Sequence, residues 1–217
     1  FRLLYTLEQR GFVQKDPDAR SYSLGYRTLF LADETRRQSR LIAAAAPFLD
    51  ALAADARGNA MLIVREDLNS LCVALREAPS PLRLFAQVGR LGPLHAGGGP
   101  KVLLAHAPEA VRAAVLAGPL EAFTEVTMTD PAKLRQAADE ILRLGFTLSI
   151  GELDPDVFSM AAPVFDYSGE AVAALSVAGP VSRLADGGRE RLRGLVLSSS
   201  ERLSEALGHS VRAARPA

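Results

Sequence analysis

The sequence predicts an α+β fold in which an antiparallel sheet is flanked by helices. Several stretches repeat apolar residues at three- and four-residue spacing, with helix-start and helix-stop chemistry at their ends. Pairs of short apolar runs face each other across polar turn residues, as antiparallel hairpins do. The 217 residues are 48% hydrophobic and 23% charged, enough for one or two domains with a buried core. That composition excludes a disordered chain, a collagen-like chain and a coiled coil.

Charge and cysteine content narrow the function classes. The 25 Lys and Arg cancel the 25 Asp and Glu, so any attraction to nucleic acid must be local. Cys72 is the single cysteine, which excludes an internal disulfide and a cysteine-rich zinc site and suits a reducing cytoplasm, the expected location. No apolar run approaches the roughly 18 residues that span a bilayer, and residues 41–52 are interrupted by Pro47 and Asp50, so no membrane partner is expected. The chain starts at Phe1 inside a helical pattern, without an initiator methionine or secretory signal, and its amino end is expected to be truncated.

The elements follow in order. Residues 1–40 hold eight basic and five acidic side chains, the remainder seventeen and twenty. Phe1, Leu4 and Leu7 share a helix face, and Arg10-Gly11 has the form of a last-turn cation and a left-handed stop. Residues 12–24 alternate around Pro17-Asp18, a hairpin carrying Lys15 and Arg20. Helix and basic hairpin match the back half of a winged helix-turn-helix; a solvated hairpin with cations placed by chance is the alternative. Residues 28–32 and 38–56 are helical by spacing, and Gly58-Asn59 closes the second. Runs at 60–65 and 71–76 form a hairpin around a polar loop at 66–70, and 82–88 would continue the sheet. Pro100 and Pro108 mark helix starts, Asp130-Pro131 caps a helix reaching Gly145, and 189–207 form a last helix closed by Gly208. Residues 146–150, 158–165 and 171–178 are strands, the last two joined through Asp166-Tyr167-Ser168-Gly169.

A ligand site is suggested where His95-Ala96-Gly97-Gly98-Gly99-Pro100-Lys101 puts three glycines before a helix start, since unpaired amides and the helix dipole there favour a small carboxylate. The alternative is that the glycines merely let the loop turn tightly. On 171–178, Ala173, Leu175 and Val177 share one face, while Val172, Ala174, Ser176 and Ala178 share a face of small side chains that leaves room beside it. On 158–165, Ser159, Ala161 and Pro163 oppose Phe158, Met160 and Val164. Ser159 and Ser176 can offer hydroxyls; ordinary satisfied serines are the alternative. Glu152, in the acidic loop Gly151-Glu152-Leu153-Asp154-Pro155-Asp156, is a candidate to gate or contact a ligand.

Taken in sequence, a set of short motifs resembles the IclR family of bacterial transcriptional regulators over almost the whole chain. They are Arg2-Leu3-Leu4-Tyr5-Thr6-Leu7-Glu8-Gln9-Arg10-Gly11-Phe12-Val13 with Tyr22-Ser23-Leu24-Gly25, then Pro93-Leu94-His95-Ala96 before Lys101-Val102-Leu103-Leu104-Ala105. Phe123-Thr124, Thr129-Asp130, Gly145-Phe146, Ala161-Ala162-Pro163-Val164, Ala173-Ala174-Leu175-Ser176, Gly179-Pro180 and Leu207-Gly208 follow. The resemblance implies a GAF-like effector domain at 39–217, a linker helix at 26–38 and the end of a winged helix-turn-helix at 1–25. It further implies homodimers or dimers of dimers on double-stranded operator DNA, with Arg2, Lys15 and Arg20 at the DNA. By resemblance, His95, Gly97, Gly98, Gly99, Ser149, Glu152, Ser159 and Ser176 border the effector; the thin polar complement suggests a more apolar ligand, with Met61 and Leu84 as apolar lining. Relatives commonly carry a small residue and glycine before the lysine; here Gly99-Pro100 removes one amide donor. Ala178 replaces a serine found in some members, which favours an aromatic or branched organic acid over the smallest keto-acids.

An enzyme is a poor alternative. Cys72, His95 and His106 have no recognisable partners, and His106 is expected as a cation trailing a helix. The three histidines lack metal-ligand spacing and the glycine run lacks the P-loop ending, so no metal and no cofactor are expected. A GAF-like interaction module with a filled pocket is the third reading.

Overall fold

A computed structural model describes residues 2–16, 21–78 and 87–210. The chain divides between Ala43 and Ala44 into two compact units. Arg20 and Leu84 lie outside the described residues, as does most of the strand expected at 82–88.

The first unit contains α1 (Arg2–Gln9), a hairpin of β1 (Val13–Lys15) and β2 (Tyr22–Leu24), and α2 (Arg27–Gln38). Gly11 ends α1 at φ +72°, with Gly11 N–H donating to Glu8 O and Phe12 N–H to Leu7 O. This is the Schellman closure that Arg10-Gly11 predicts. Lys15 pairs with Tyr22 across the hairpin. Gly25 is required because a Cβ there would lie 2.1 Å from Gly11 O. The helix expected at 28–32 runs on to Gln38 and stops at Ser39, whose extended backbone and hydroxyl, accepting from Ile42 N–H at 3.3 Å, cap the next helix.

The second unit takes in most of α3 (Arg40–Ala56) and a sheet of six strands among the described residues, all pairs antiparallel, in the order β5-β4-β3-β8-β7-β6. The strands are β3 (Asn59–Glu66), β4 (Asn69–Arg76), β5 (Leu91–Pro93), β6 (Thr147–Ile150), β7 (Val157–Phe165) and β8 (Ala171–Pro180). Between them lie α4 (Gly98–His106), α5 (Glu109–Ala117) and α6 (Pro131–Leu144), and α7 (Gly188–Ala206) follows β8 after a short 3-10 turn. The α+β class read from the sequence is the observed one.

Local chemistry explains most element ends. Asp130 accepts from Ala132 and Lys133 N–H, Pro131 opens α6, and Gly145 closes it at φ +74°. Gly208 closes α7 in the same Schellman pattern as Gly11. At the end of α3 the left-handed residue is Arg57, φ +49°, and not Gly58 as expected. Gly58 is reserved for contact with β8, where a Cβ would stand 3.0 Å from Ala178 O. The polar loop expected at 66–70 is a two-residue turn, because Glu66 pairs with Asn69 and Asp67 supplies φ +50°. Further along this hairpin the register skips Val73, a bulge that places Cys72 opposite Ile63.

The two sheet faces are covered differently. Helix α4 lies across the face of small side chains, burying Val102, Leu103 and Leu104 with Ile63, Ala161 and Ala174, while α5 and α6 pack behind it. Helix α7 covers the opposite face, where Ser204 Oγ accepts from Phe165 N–H at 2.9 Å. Arg191 donates to Asp55 O and Arg202 stacks over Phe48, joining α3 to α7.

At the end of α4, His106 is not the cation expected there. Its ring meets Phe165 edge-on at 5.3 Å, and its Nε2 is buried without a hydrogen-bond partner among the described residues. Burial, and then the nearby Arg112 guanidinium, push its pKa below the ordinary value. In the unfolded chain the imidazole takes up a proton below about pH 6.5, whereas the folded chain resists it. Its protonation therefore adds no penalty well above that pH and weakens the fold as pH falls through and below it. His106→Leu is expected to reduce the loss of urea-unfolding midpoint between about pH 7 and pH 5.

Candidate functional site

A cavity of about 70 Å³ opens between the amino end of α4, the β6–β7 loop and strands β3, β4, β7 and β8. Met61, Ile63, Leu153, Val157 and Phe158 supply apolar wall, and Ser70, Arg90, Ser149, Glu152, Asp154 and Ser159 supply polar groups. Cys72 also lines it; burial pushes its thiol up to about 11, so it stays protonated at neutral pH, and its Sγ lies 3.5 Å from Ala74 O.

The sequence-predicted residues divide by position. Met61, Gly97, Gly98, Ser149, Glu152 and Ser159 line the cavity. Ser176 does not: it is fully buried, and its hydroxyl is 3.0 Å from that of Ser159, which it orients. Gly99 stands behind the wall, where a Cβ would lie 2.5 Å from Ile63 Cδ1. His95 belongs to a neighbouring surface groove with Leu91, Leu120 and Phe123; its Nε2 pairs with Glu121 O at 2.9 Å and its ring stacks on Phe123. Leu84 falls outside the described residues.

The glycine run thus does more packing than expected. Helix α4 begins at Gly98, two residues before Pro100, with Gly97 as its cap at φ +89°. A Cβ on Gly98 would stand 2.7 Å from the carbonyl oxygen of Ser159. The small side chains of β7 and β8 accommodate this close helix, and the cavity opens beside Ser159 and Ala178.

Glu152 sits at the centre of the polar wall. Its Oε2 accepts from Gly97 N–H at 3.0 Å and its Oε1 pairs with the Lys101 ammonium. Both residues are buried, at 8% and 5% exposure. One carboxylate of the chain therefore partners both the N–H of the cap residue Gly97 and the lysine. Two threonines fix the backbone beneath it. Thr127 Oγ1 donates to Glu152 O at 2.6 Å and accepts from Phe123 and Thr124 N–H, while Thr124 Oγ1 donates to Gly151 O at 2.7 Å. Sequence reading missed Lys101, Thr124 and Thr127 as site residues. The available signal was a lone lysine within a buried apolar helix, which requires a counter-charge.

Residues 35–205 match the family described as bacterial transcriptional regulator IclR C-terminal. The chain is 32% identical over 204 residues to the HTH-type transcriptional regulator BhcR of Paracoccus denitrificans, covering 94% of this chain and 73% of that protein. An IclR transcriptional regulator from Alicyclobacillus acidocaldarius superposes with a TM-score of 0.83 at 28% identity, over 95% of this chain and 84% of the other. An IclR homologue from Microbacterium hydrocarbonoxydans, solved with 4-hydroxybenzoate, gives 0.78 at 27% identity, over 94% and 84%. Among the described residues, no helix is long and apolar enough to cross a membrane. The chain belongs to the IclR family of bacterial transcriptional regulators, with the matched residues as its C-terminal domain.

Proposed function

We propose that this regulator senses a small organic acid in the cavity at the amino end of α4 and answers by changing its hold on operator DNA. The observation that carries this reading is the unfilled space itself, walled by Met61, Gly97, Gly98, Ser149, Glu152 and Ser159. The 4-hydroxybenzoate complex of a relative supports an organic acid, aromatic acids included, as the ligand class.

In a thermal-shift screen of short-chain and aromatic acids, a true effector at one hundred times its dissociation constant adds about 2.7 kcal/mol. Ala178→Leu projects a longer side chain into the cavity and is expected to abolish that shift while the ligand-free melting point stays nearly unchanged. A shift that survives the substitution places the ligand elsewhere and overturns the reading.

The DNA side is proposed on the same footing. Residues 1–25 would end a winged helix-turn-helix, 26–38 would link it to the effector domain at 39–217, and Arg2, Lys15 and Arg20 would meet phosphate. Exposed Leu29 and Phe30 on α2 support a homodimer or dimer of dimers, since such apolar surface is usually covered by a partner. Cytoplasmic operation follows from this role. In a chain carrying the complete winged helix, replacing Lys15 and Arg20 together by Ala is expected to weaken operator binding across sequences and lower the salt slope by about 2. Unchanged binding in a mobility-shift titration would remove the wing assignment. Effector and DNA are coupled only if the acid binds the two arrangements unequally.

A further inference from the structure

We infer that Arg90 is the effector's anchor: its guanidinium takes the carboxylate of a singly charged acid at the β5 border of the cavity, and the rest of the molecule lies inward along Met61, Phe158 and Ala178. This rests on the cavity being the effector site, as proposed above.

The wall leaves few places for a negative charge. At the amino end of α4, Gly97 N–H and the Lys101 ammonium are both engaged by Glu152, and that buried pair stays intact when a ligand enters. Asp154, half-buried in the same wall, repels an anion as Glu152 does. Among the described residues, Arg90 is the one cation lining the cavity. Arg90 has a partner within the chain, but a guanidinium carries five N–H donors in a flat fork. Donors therefore remain for a ligand carboxylate, which the fork matches with two parallel bonds.

The backbone carries Arg90 to this position. Gly89 turns the chain at φ +85°, and its N–H donates to Cys72 O at 2.9 Å. Arg90 N–H donates to Gln87 O at 3.0 Å, and Leu91 then enters β5. The turn is thus tied to β4 at a residue that itself lines the cavity. Strand β5 stands at one end of the sheet order, whereas Phe158 and Ala178 lie on β7 and β8, beyond β4 and β3. A carboxylate held at Arg90 therefore directs the remainder of the acid toward those strands. Because Arg90 is exposed, the charged head keeps contact with water while the apolar part is enclosed. A second carboxylate on the ligand would face Glu152 or Asp154 with no further cation in the described wall, which disfavours dicarboxylates.

Calorimetric titration of the 217-residue chain tests the inference with propionate and benzoate, their amides as uncharged isosteres, and succinate and terephthalate as dicarboxylates. The tighter-binding monocarboxylate is expected to exceed its amide and its dicarboxylate by about tenfold in wild type. Arg90→Gln should weaken that acid by about tenfold, leave its amide within about twofold and remove most of the salt dependence of acid binding. Arg90→Lys should recover part of the loss, since it restores the charge without the fork. The side chain is exposed, so ligand-free melting of both variants is expected to stay close to wild type. An acid that binds Arg90→Gln as tightly as wild type but is lost in Ala178→Leu overturns the anchor while the cavity reading stands. An acid that binds wild type, Arg90→Gln and Ala178→Leu equally overturns both, as does failure of either acid to bind wild type. A dicarboxylate that binds as tightly as the monocarboxylate refutes the single charge.

Discussion

Lys101→Met is expected to destabilise the C-terminal domain by about 3–5 kcal/mol, the usual cost of stranding one member of a buried ion pair. Glu152 is 8% exposed, and with the ammonium gone its charge would keep only the Gly97 N–H as partner. Methionine preserves the length and apolar stem of the lysine, so lost packing contributes little. Adding Glu152→Gln should restore most of the stability, because the glutamine oxygen can still accept from Gly97 and no unpaired charge remains. Urea unfolding of the two single variants and the pair gives the coupling energy directly. If the single Lys101 variant loses less than about 1 kcal/mol, the pair is not buried as described.

Gly98→Val is expected to cost about 3 kcal/mol and, for a chain of this size, to lower the melting temperature by roughly 6–12 °C. The added Cβ would lie 2.7 Å from the carbonyl oxygen of Ser159, backbone in an inner strand that cannot rotate aside. Helix α4 must lift from the sheet, which opens the cavity floor, so effector-induced stabilisation should disappear together with the stability. Gly194→Ala on the exposed side of α7 is the control, since nothing stands within 4 Å of its Cβ. It should be neutral or stabilising by about 0.5–1 kcal/mol. Equal behaviour of the two variants would contradict the close approach of α4.

What was legible in the sequence follows the range over which each feature is decided. Asp130-Pro131, Gly145, Gly11 and Gly208 announce helix ends because capping is settled within a few residues. The strand pairs were legible through alternation and the Asp166-Tyr167-Ser168-Gly169 turn. The sheet order was not, since β3 pairs with β8 across more than a hundred residues and nothing local specifies that pairing. The cavity was half readable. Small side chains on β7 and β8 indicated where material was missing, but helix α4 fills most of that space. Gly98 and Gly99 proved to be contact points for Ser159 and Ile63 as much as ligand-facing groups. The Lys101 and Glu152 pair, 51 residues apart in sequence, and the threonine clamp beneath it required the fold. The Val73 bulge, which turns Cys72 inward, carried no sequence signal.

Among the described residues, the outer strands of the sheet, β5 with three residues and β6 with four, are much shorter than β3 and β8 at its centre. Pro93 further deprives β5 of an amide donor. A stray chain seeking to add itself at either border finds few free backbone groups to copy, so crowding during synthesis has little template from which fibrous assembly could grow.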